Sequence, residues 1–165
     1  MSPERLTQPL WDDITLGAAA IKASLFQSIT SKTLYDTNMM AAGALPSGYS
    51  FTIKGFAFST LPGQTGALLI ALQKGTFELF VGSSSKYQLP LFMLTSGAGI
   101  GGIVSASTET VNAGIPDPRA VWTLDSPIEL GPLVNFRVDF TWPVAPTAST
   151  FWFFLLGELE RPIAP

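Results

Sequence analysis

Two glutamates near the end of the chain, Glu158 and Glu160, are two positions apart and would share one face of a strand. Paired carboxylates are the equipment of a glycosidase, which needs them about 5–10 Å apart across a cleft. Such sites draw their acids from several strands and add aromatic sugar platforms. Here Glu78 and Asp139 each alternate with core positions and so face away from them. The plainer reading makes Glu158, Glu160 and Arg161 a solvated or inter-subunit charge cluster. Asp12-Asp13 reads the same way, as part of a solvated arm rather than a metal site.

Other chemistry is thin. There is no histidine. That removes the usual general base of Ser and Cys hydrolases and the ligands of most zinc, copper and non-haem iron sites. There is no cysteine either, so disulfides and thiolate chemistry are out and the redox compartment is undetermined. Gly97-Ala98-Gly99-Ile100-Gly101-Gly102 satisfies G-x-G-x-x-G, but that fingerprint binds a dinucleotide only as a turn opening a helix. The β-prone IVSASTET follows instead, so the glycines read as a tight loop. Ser83-x-x-Lys86 matches S-x-x-K without the other elements of that site, and the serines read as a hairpin turn. The expectation is a protein that is not an enzyme and takes no cofactor or metal.

The elements that would position these residues are strands. In Leu133 to Trp142, Val134, Phe136, Val138, Phe140 and Trp142 hold one parity and Asn135, Arg137, Asp139 and Thr141 the other. That period of two predicts a strand with one buried face. The run FWFFLL, Phe151 to Leu156, is apolar at every position and must be covered on both faces. Tyr49 to Thr60 changes phase at Lys54-Gly55, where a β-bulge would restore one apolar face. Thr76 to Val81 and Tyr87 to Met93 make a hairpin, with Pro90 marking an edge or a bulge. Ala18 to Ile29 is favoured as strand, Thr33 to Thr37 as a short extended piece, and Ala67 to Leu72 as a strand or a single helical turn. Val121 to Leu124 and Ile128 to Leu130 lead into the last pair. Residues 1–17 read as an N-terminal arm. Residues 18–165 read as one domain with a long loop at about 95–119. The total is about eight strands, and eight in a two-sheet sandwich is the antiparallel jelly-roll arrangement.

Composition limits the partners. Charged residues make up only 13% of the chain and hydrophobic ones 47%, against roughly 25% charged in an ordinary soluble domain. Either neighbours in an assembly cover much of the outside, or the surface is rich in Ser and Thr; composition leaves both open. The nine Lys and Arg residues are scattered singly and the net charge is −3, which argues against direct nucleic-acid binding. The opening MSPERLTQPLWDD has no apolar h-region, so no signal peptide is seen. No apolar run approaches the ~18 residues needed to cross a bilayer, although a contact along a membrane surface stays open.

The succession TFELFVGSSSKYQLPLFML, a Gly-rich loop, SPIELGPLVNFRVDF and FWFFLLGELERPI resembles the small single-jelly-roll major capsid proteins of tailless icosahedral phages with an internal membrane, such as those infecting Thermus. The resemblance covers about residues 49–163 in pattern and order. It implies a single, vertical jelly roll in a virion shell, made in the host cytoplasm. Its partners would be copies of itself, another capsid protein and, in such virions, the internal viral membrane. It carries no catalytic residues. The chain departs from thermophile composition in being poor in Lys and Glu. Inter-subunit contacts are expected from Leu6, Leu10 and Trp11 in the arm, and from Ile100, Ile103, Ile115 and Arg119 in the loop. Glu158, Glu160 and Arg161 complete the set. On this reading, deletion of residues 1–13 impairs assembly and leaves the domain folded. The alternative is a carbohydrate- or receptor-binding β-sandwich, for which Trp122, Trp142 and Trp152 would supply the platform. A metal-free jelly-roll enzyme comes third.

Overall fold

A computed structural model describes residues 3–60, 66–94, 100–104, 109–113, 122–146 and 148–163. Their strands, in chain order, are β1 (Glu4–Thr7), β2 (Leu10–Leu16), β3 (Lys22–Leu25), β4 (Ser50–Thr60), β5 (Thr76–Val81), β6 (Ser84–Pro90), β7 (Ile100–Val104), β8 (Glu109–Ala113), β9 (Trp122–Leu130), β10 (Phe136–Thr141) and β11 (Ser149–Arg161). One helix, α1 (Gly66–Gln73), and a 3-10 turn at Leu91–Leu94 interrupt them. The protein is all-β, and every strand pairing is antiparallel.

Two sheets form a sandwich-like arrangement. In the first, β11 pairs on one side with β1 and β2 and on the other with β4, which pairs in turn with β9. The second runs β3-β10-β5-β6, and β7-β8 is a separate hairpin. Between the sheets, Phe56 and Phe153 from the first meet Phe77 and Phe140 from the second. The Phe77 ring lies 5.1 Å from that of Phe56 and 5.0 Å from that of Phe153, centroid to centroid. Tilted aromatic contacts of this kind add about 0.5–1.5 kcal/mol per pair to the burial of their area.

Several expected strands form from the residues that specified them. In β10, Phe136, Val138 and Phe140 are buried while Arg137 and Asp139 are half-buried on the other face. In β4 the register to β11 shifts, Leu156 lying opposite Gly55 and Gly157 opposite Ile53, which leaves Lys54 as the extra residue. Phe51, Ile53, Phe56 and Phe58 therefore all point inward despite the change of parity. β5 and β6 are a hairpin closed at Gly82, whose φ is +61°. Pro90 ends β6 at the edge of its sheet, where a missing N–H costs no ladder bond.

Other expectations are corrected. Residues 4–16 are not a free arm. β1 and β2 lie end to end along β11, from Glu4 opposite Arg161 to Leu16 opposite Ser149. Gln8 and Pro9 separate the two. The alternation of LWDDITL was hidden because an aspartate, Asp12, occupies an inward position. The loop at about 95–119 contains the hairpin β7-β8, and its other residues lie outside those described. Ala67 to Leu72 belongs to the eight-residue helix α1, with Leu68 and Leu72 buried one turn apart. Within Ala18 to Ile29 only β3 is strand. Thr33 to Thr37 is a turn, closed by the Asp36 and Thr37 N–H groups on the Thr33 carbonyl. The two short runs 121–124 and 128–130 contribute to one strand, β9.

Candidate interaction surfaces

The connection from β3 to β4 leaves the sandwich at Phe26 and returns at Gly43, whose N–H donates to the Phe26 carbonyl at 2.7 Å. Between these points the chain lies as a strap over β2. It satisfies the strand's outer edge, which has no β neighbour and would otherwise present open backbone groups. The Trp11 N–H donates to the Asn38 side chain at 2.9 Å, and the Trp11 carbonyl accepts from the Thr37 hydroxyl and the Asn38 N–H. The Asn38 amide donates to the Pro9 carbonyl at 2.8 Å.

The strap also answers what covers FWFFLL. Phe151, Phe153 and Leu155 face the core. On the other face, Trp152 is met edge-on by Tyr35, ring centroids 5.2 Å apart, and its indole N–H donates to the Tyr35 carbonyl at 3.1 Å. The Trp11 indole donates to the Leu34 carbonyl at 3.2 Å. Part of the second cover is therefore this chain's own. The strap leaves its next layer bare, with Leu34 at 74% and Tyr35 at 68% exposure.

A buried ion cluster fixes the strap. Asp12, 2% exposed, accepts from the Phe26 N–H at 2.5 Å and from the Lys32 ammonium at 2.6 Å. Lys32 reaches the Asp13 carboxylate as well, at 2.9 Å. Burial pushes the Asp12 carboxyl above its usual value and outweighs the Lys32 and Phe26 bonds that pull it down. Burial alone would lower Lys32, but the bonds and charges of Asp12 and Asp13 together hold it above the usual lysine value. The Asp12-Asp13 reading is thus corrected from a solvated arm to an internal latch. An open cleft of about 380 Å³ adjoins it, lined by Asp13, Ser24, Ser28 and Asp36 among others.

At the other end of the first sheet lies a ladder of charges. Lys54 pairs with Glu158, Arg5 with Glu160 and Arg161 with Glu4, while the Thr52 hydroxyl donates to Glu129. The Lys54 hydrogen bond holds Glu158 below the usual glutamate value. Arg161 is held above its usual value by Glu4. Among the described residues no group of three acidic, His or Cys side chains could hold a metal ion.

The expected contact residues fall into three sets. Leu6, Glu158, Glu160 and Arg161 come together, since Leu6 faces Leu159 in the register of β1 and β11. Leu10 is a core residue and so is not open to a neighbour, while Trp11 is half-buried beside the strap, its indole bonded to the Leu34 carbonyl. Ile100 and Ile103 belong to β7, while Ile115 and Arg119 lie outside the described residues. Lys32, Tyr35 and Asn38 escaped sequence reasoning. The available signal was the inward parity of Asp12, which needs a partner. No tryptophan is exposed: Trp142 and Trp152 are buried, and the half-buried Trp122 donates to the Tyr87 hydroxyl at 2.6 Å. Trp142 and Trp152 are therefore not presented as a sugar platform. No family model, curated protein or solved structure matches the chain.

Proposed function

We propose that the protein is a coat subunit, a structural virion protein that assembles with copies of itself and with a second coat protein into an icosahedral shell. The observation that carries this reading is where the large apolar side chains are exposed. Among the described residues all of them lie between strands or beyond the last, including Leu34, Leu133 and Val144, each at least 70% exposed. Apolar groups displayed on loops tied down by hydrogen bonds are features of contact surfaces. The ends and the strap of the sandwich are thus its adhesive regions.

The strand order supports a jelly roll. β1 and β2 act as one strand interrupted at Pro9, since both lie along the same side of β11. With β7-β8 as an insertion, eight strands remain in two four-stranded sheets, β1/β2-β11-β4-β9 and β3-β10-β5-β6. Successive strands cross between the sheets except at the β5-β6 hairpin, the double Greek-key order shared by viral coats, lectins and cupins. Fold alone does not choose among these. The low charge and the exposed loops favour the coat.

The test is light scattering on a size-exclusion column across protein concentration and salt, alone and with a co-expressed second coat protein. Discrete oligomers or shell-like particles are expected, and Leu34→Asp or Leu133→Asp should abolish them without altering the circular dichroism of the monomer. A monomer under every condition overturns the reading.

A further inference from the structure

The latch beneath the strap brings together more than an ion pair needs. The Lys32 nitrogen stands 2.6 Å from Oδ1 of Asp12 and 2.9 Å from Oδ1 of Asp13. The other Asp12 oxygen, Oδ2, accepts the Phe26 N–H at 2.5 Å. Phe26 holds φ at +66°, a conformation that a bulky residue keeps only where its surroundings enforce it. Asp12 is 2% exposed, whereas the Lys32 side chain, at 20%, lines the open cleft. An amine, a carboxyl carbon shielded from water, a donor on the carbonyl oxygen and a second carboxylate are the parts of an acyl transfer.

We propose that Lys32 and Asp12 condense within the folded chain to a side-chain amide, with Asp13 moving the protons and the Phe26 N–H holding the oxyanion. The Lys32 ammonium passes a proton to the Asp13 carboxylate, and the freed amine attacks Cγ of Asp12. Charge gathers on Oδ2, where the Phe26 N–H meets it. The bond from Cγ to Oδ1 then breaks. Oδ1 leaves through the cleft as water, carrying two of the three ammonium protons, delivered by Asp13. Oδ2 remains as the amide oxygen, Asp13 is restored, and no oxidant or other reactant is consumed.

Two physical effects favour the amide. Holding the groups in contact gives an effective concentration on the order of 10⁵–10⁸ M, which separate chains never reach. Condensation also removes two charges from a site whose burial already pushes the Asp12 carboxyl up. Lys32 is held as the ammonium, so the free amine is scarce and the bond forms slowly, once per chain. A freshly folded chain therefore carries the ion pair, and an aged one the amide. The other described lysine–carboxylate pair, Lys54 with Glu158, has a lysine 48% exposed and no second described carboxylate on its nitrogen, so it stays ionic. The new bond spans 20 positions and ties β2 to the strap, which then cannot peel away from Trp152. This inference concerns the single chain and does not require the coat reading.

The experiment is intact mass spectrometry of the full chain, incubated folded for days and then unfolded in guanidinium. The expected mass lies one water below that of the sequence. Trypsin should leave Lys32 uncut and recover residues 6–22 joined to residues 23–54, with fragmentation placing the bond between Lys32 and Asp12. Lys32→Arg keeps the cation but not the amine and should show the full mass. Asp13→Asn should slow the water loss about a hundredfold, the effect of one acid–base group. Circular dichroism verifies that each variant is folded. A folded wild type that keeps the full mass overturns the proposal. So does a water loss that persists in Lys32→Arg, the mark of a cyclic imide at an aspartate, or a bond that maps to Asp13. Asp13→Asn reacting at the wild-type rate overturns the role given to Asp13. The mass is read on the unfolded single chain, so it is decided separately from assembly.

Discussion

The Lys32 ammonium stands 2.6 Å from a carboxylate oxygen of Asp12, and this contact ties the strap to the sandwich. Lys32 is the cation that neutralises a carboxylate with 2% exposure. Removing one partner of a buried pair leaves the other uncompensated, at a cost of about 3–5 kcal/mol. Lys32 itself is partly exposed, so Lys32→Met should cost about 3 kcal/mol, the low end of that range, read as a shift in the urea unfolding midpoint. A loss within ~0.5 kcal/mol, the usual effect of a surface substitution, would show the latch to be ornamental.

The same cluster sets a pH dependence of uncommon sign. The Asp12 carboxyl is raised in the folded chain above its ordinary 3.8, so folding takes up a proton between the two values. Its contribution to stability is fully present below 3.8 and is lost as pH rises through the folded value. Lys32, raised above 10.5, contributes fully below 10.5 and loses that as pH rises through its folded value. Exposed Asp36, lowered by the Thr33 N–H and hydroxyl, and Glu158, lowered by Lys54, work the other way. Their stability is present above 3.8 and 4.5 and is lost as pH falls through the folded values. The wild type should therefore gain on Asp12→Asn as pH falls from about neutral to about 4. Parallel urea midpoints for the two proteins across that range would contradict this assignment.

Two glycines mark where the first sheet is tightest. A Cβ at Gly157 would lie 1.9 Å from the Thr52 carbonyl oxygen, and one at Gly55 would lie 2.5 Å from that of Trp122. Both obstacles are backbone, which cannot rotate away. Gly157→Ala should destabilise by about 3 kcal/mol, the upper range for overpacking, by forcing β4 and β11 apart. Gly17→Ala meets nothing within 4 Å and should lie within about 1 kcal/mol of wild type. Thermal melts of the two variants make the comparison, and equal losses would refute the steric argument.

Deletion of residues 1–13 separates the structure from the arm reading. It removes β1 and half of β2, together with Leu10 and Asp12, and opens one side of β11. The truncated chain should be unfolded or aggregated, with lost near-ultraviolet dichroism. A soluble, folded truncation that merely fails to assemble would restore the arm.

Much of the sandwich was legible because its strands obey parity. Phe136, Val138 and Phe140 announced β10, and the phase slip at Lys54 announced a bulge found at that residue in the pairing with β11. The two faces of β11 were harder, because a run apolar at every position says that two covers exist without naming them. The strap was illegible for a different reason. Tyr35 and Trp152 are 117 positions apart in the chain, and no local period links them. Asp12 misled because a charged residue in an alternating strand reads as outward unless its partner is known. Helix α1 was ambiguous because GALLIALQ is apolar on every side and has no acidic or basic cap.

The place of β11 in the first sheet bears on how the chain comes to fold. Its residues are translated after those of every other strand, yet it stands between β2 and β4 and completes the registers of both. While the ribosome is still making it, those two strands have no neighbour to share, and Phe56 of β4 lacks the Phe153 ring. The sheet must then close across nearly the whole length of the chain, which places folding in the slow class, on the order of milliseconds to seconds. For that interval the nascent protein is open to pairing with other copies of itself, and a chaperone that shields β4 would raise the yield.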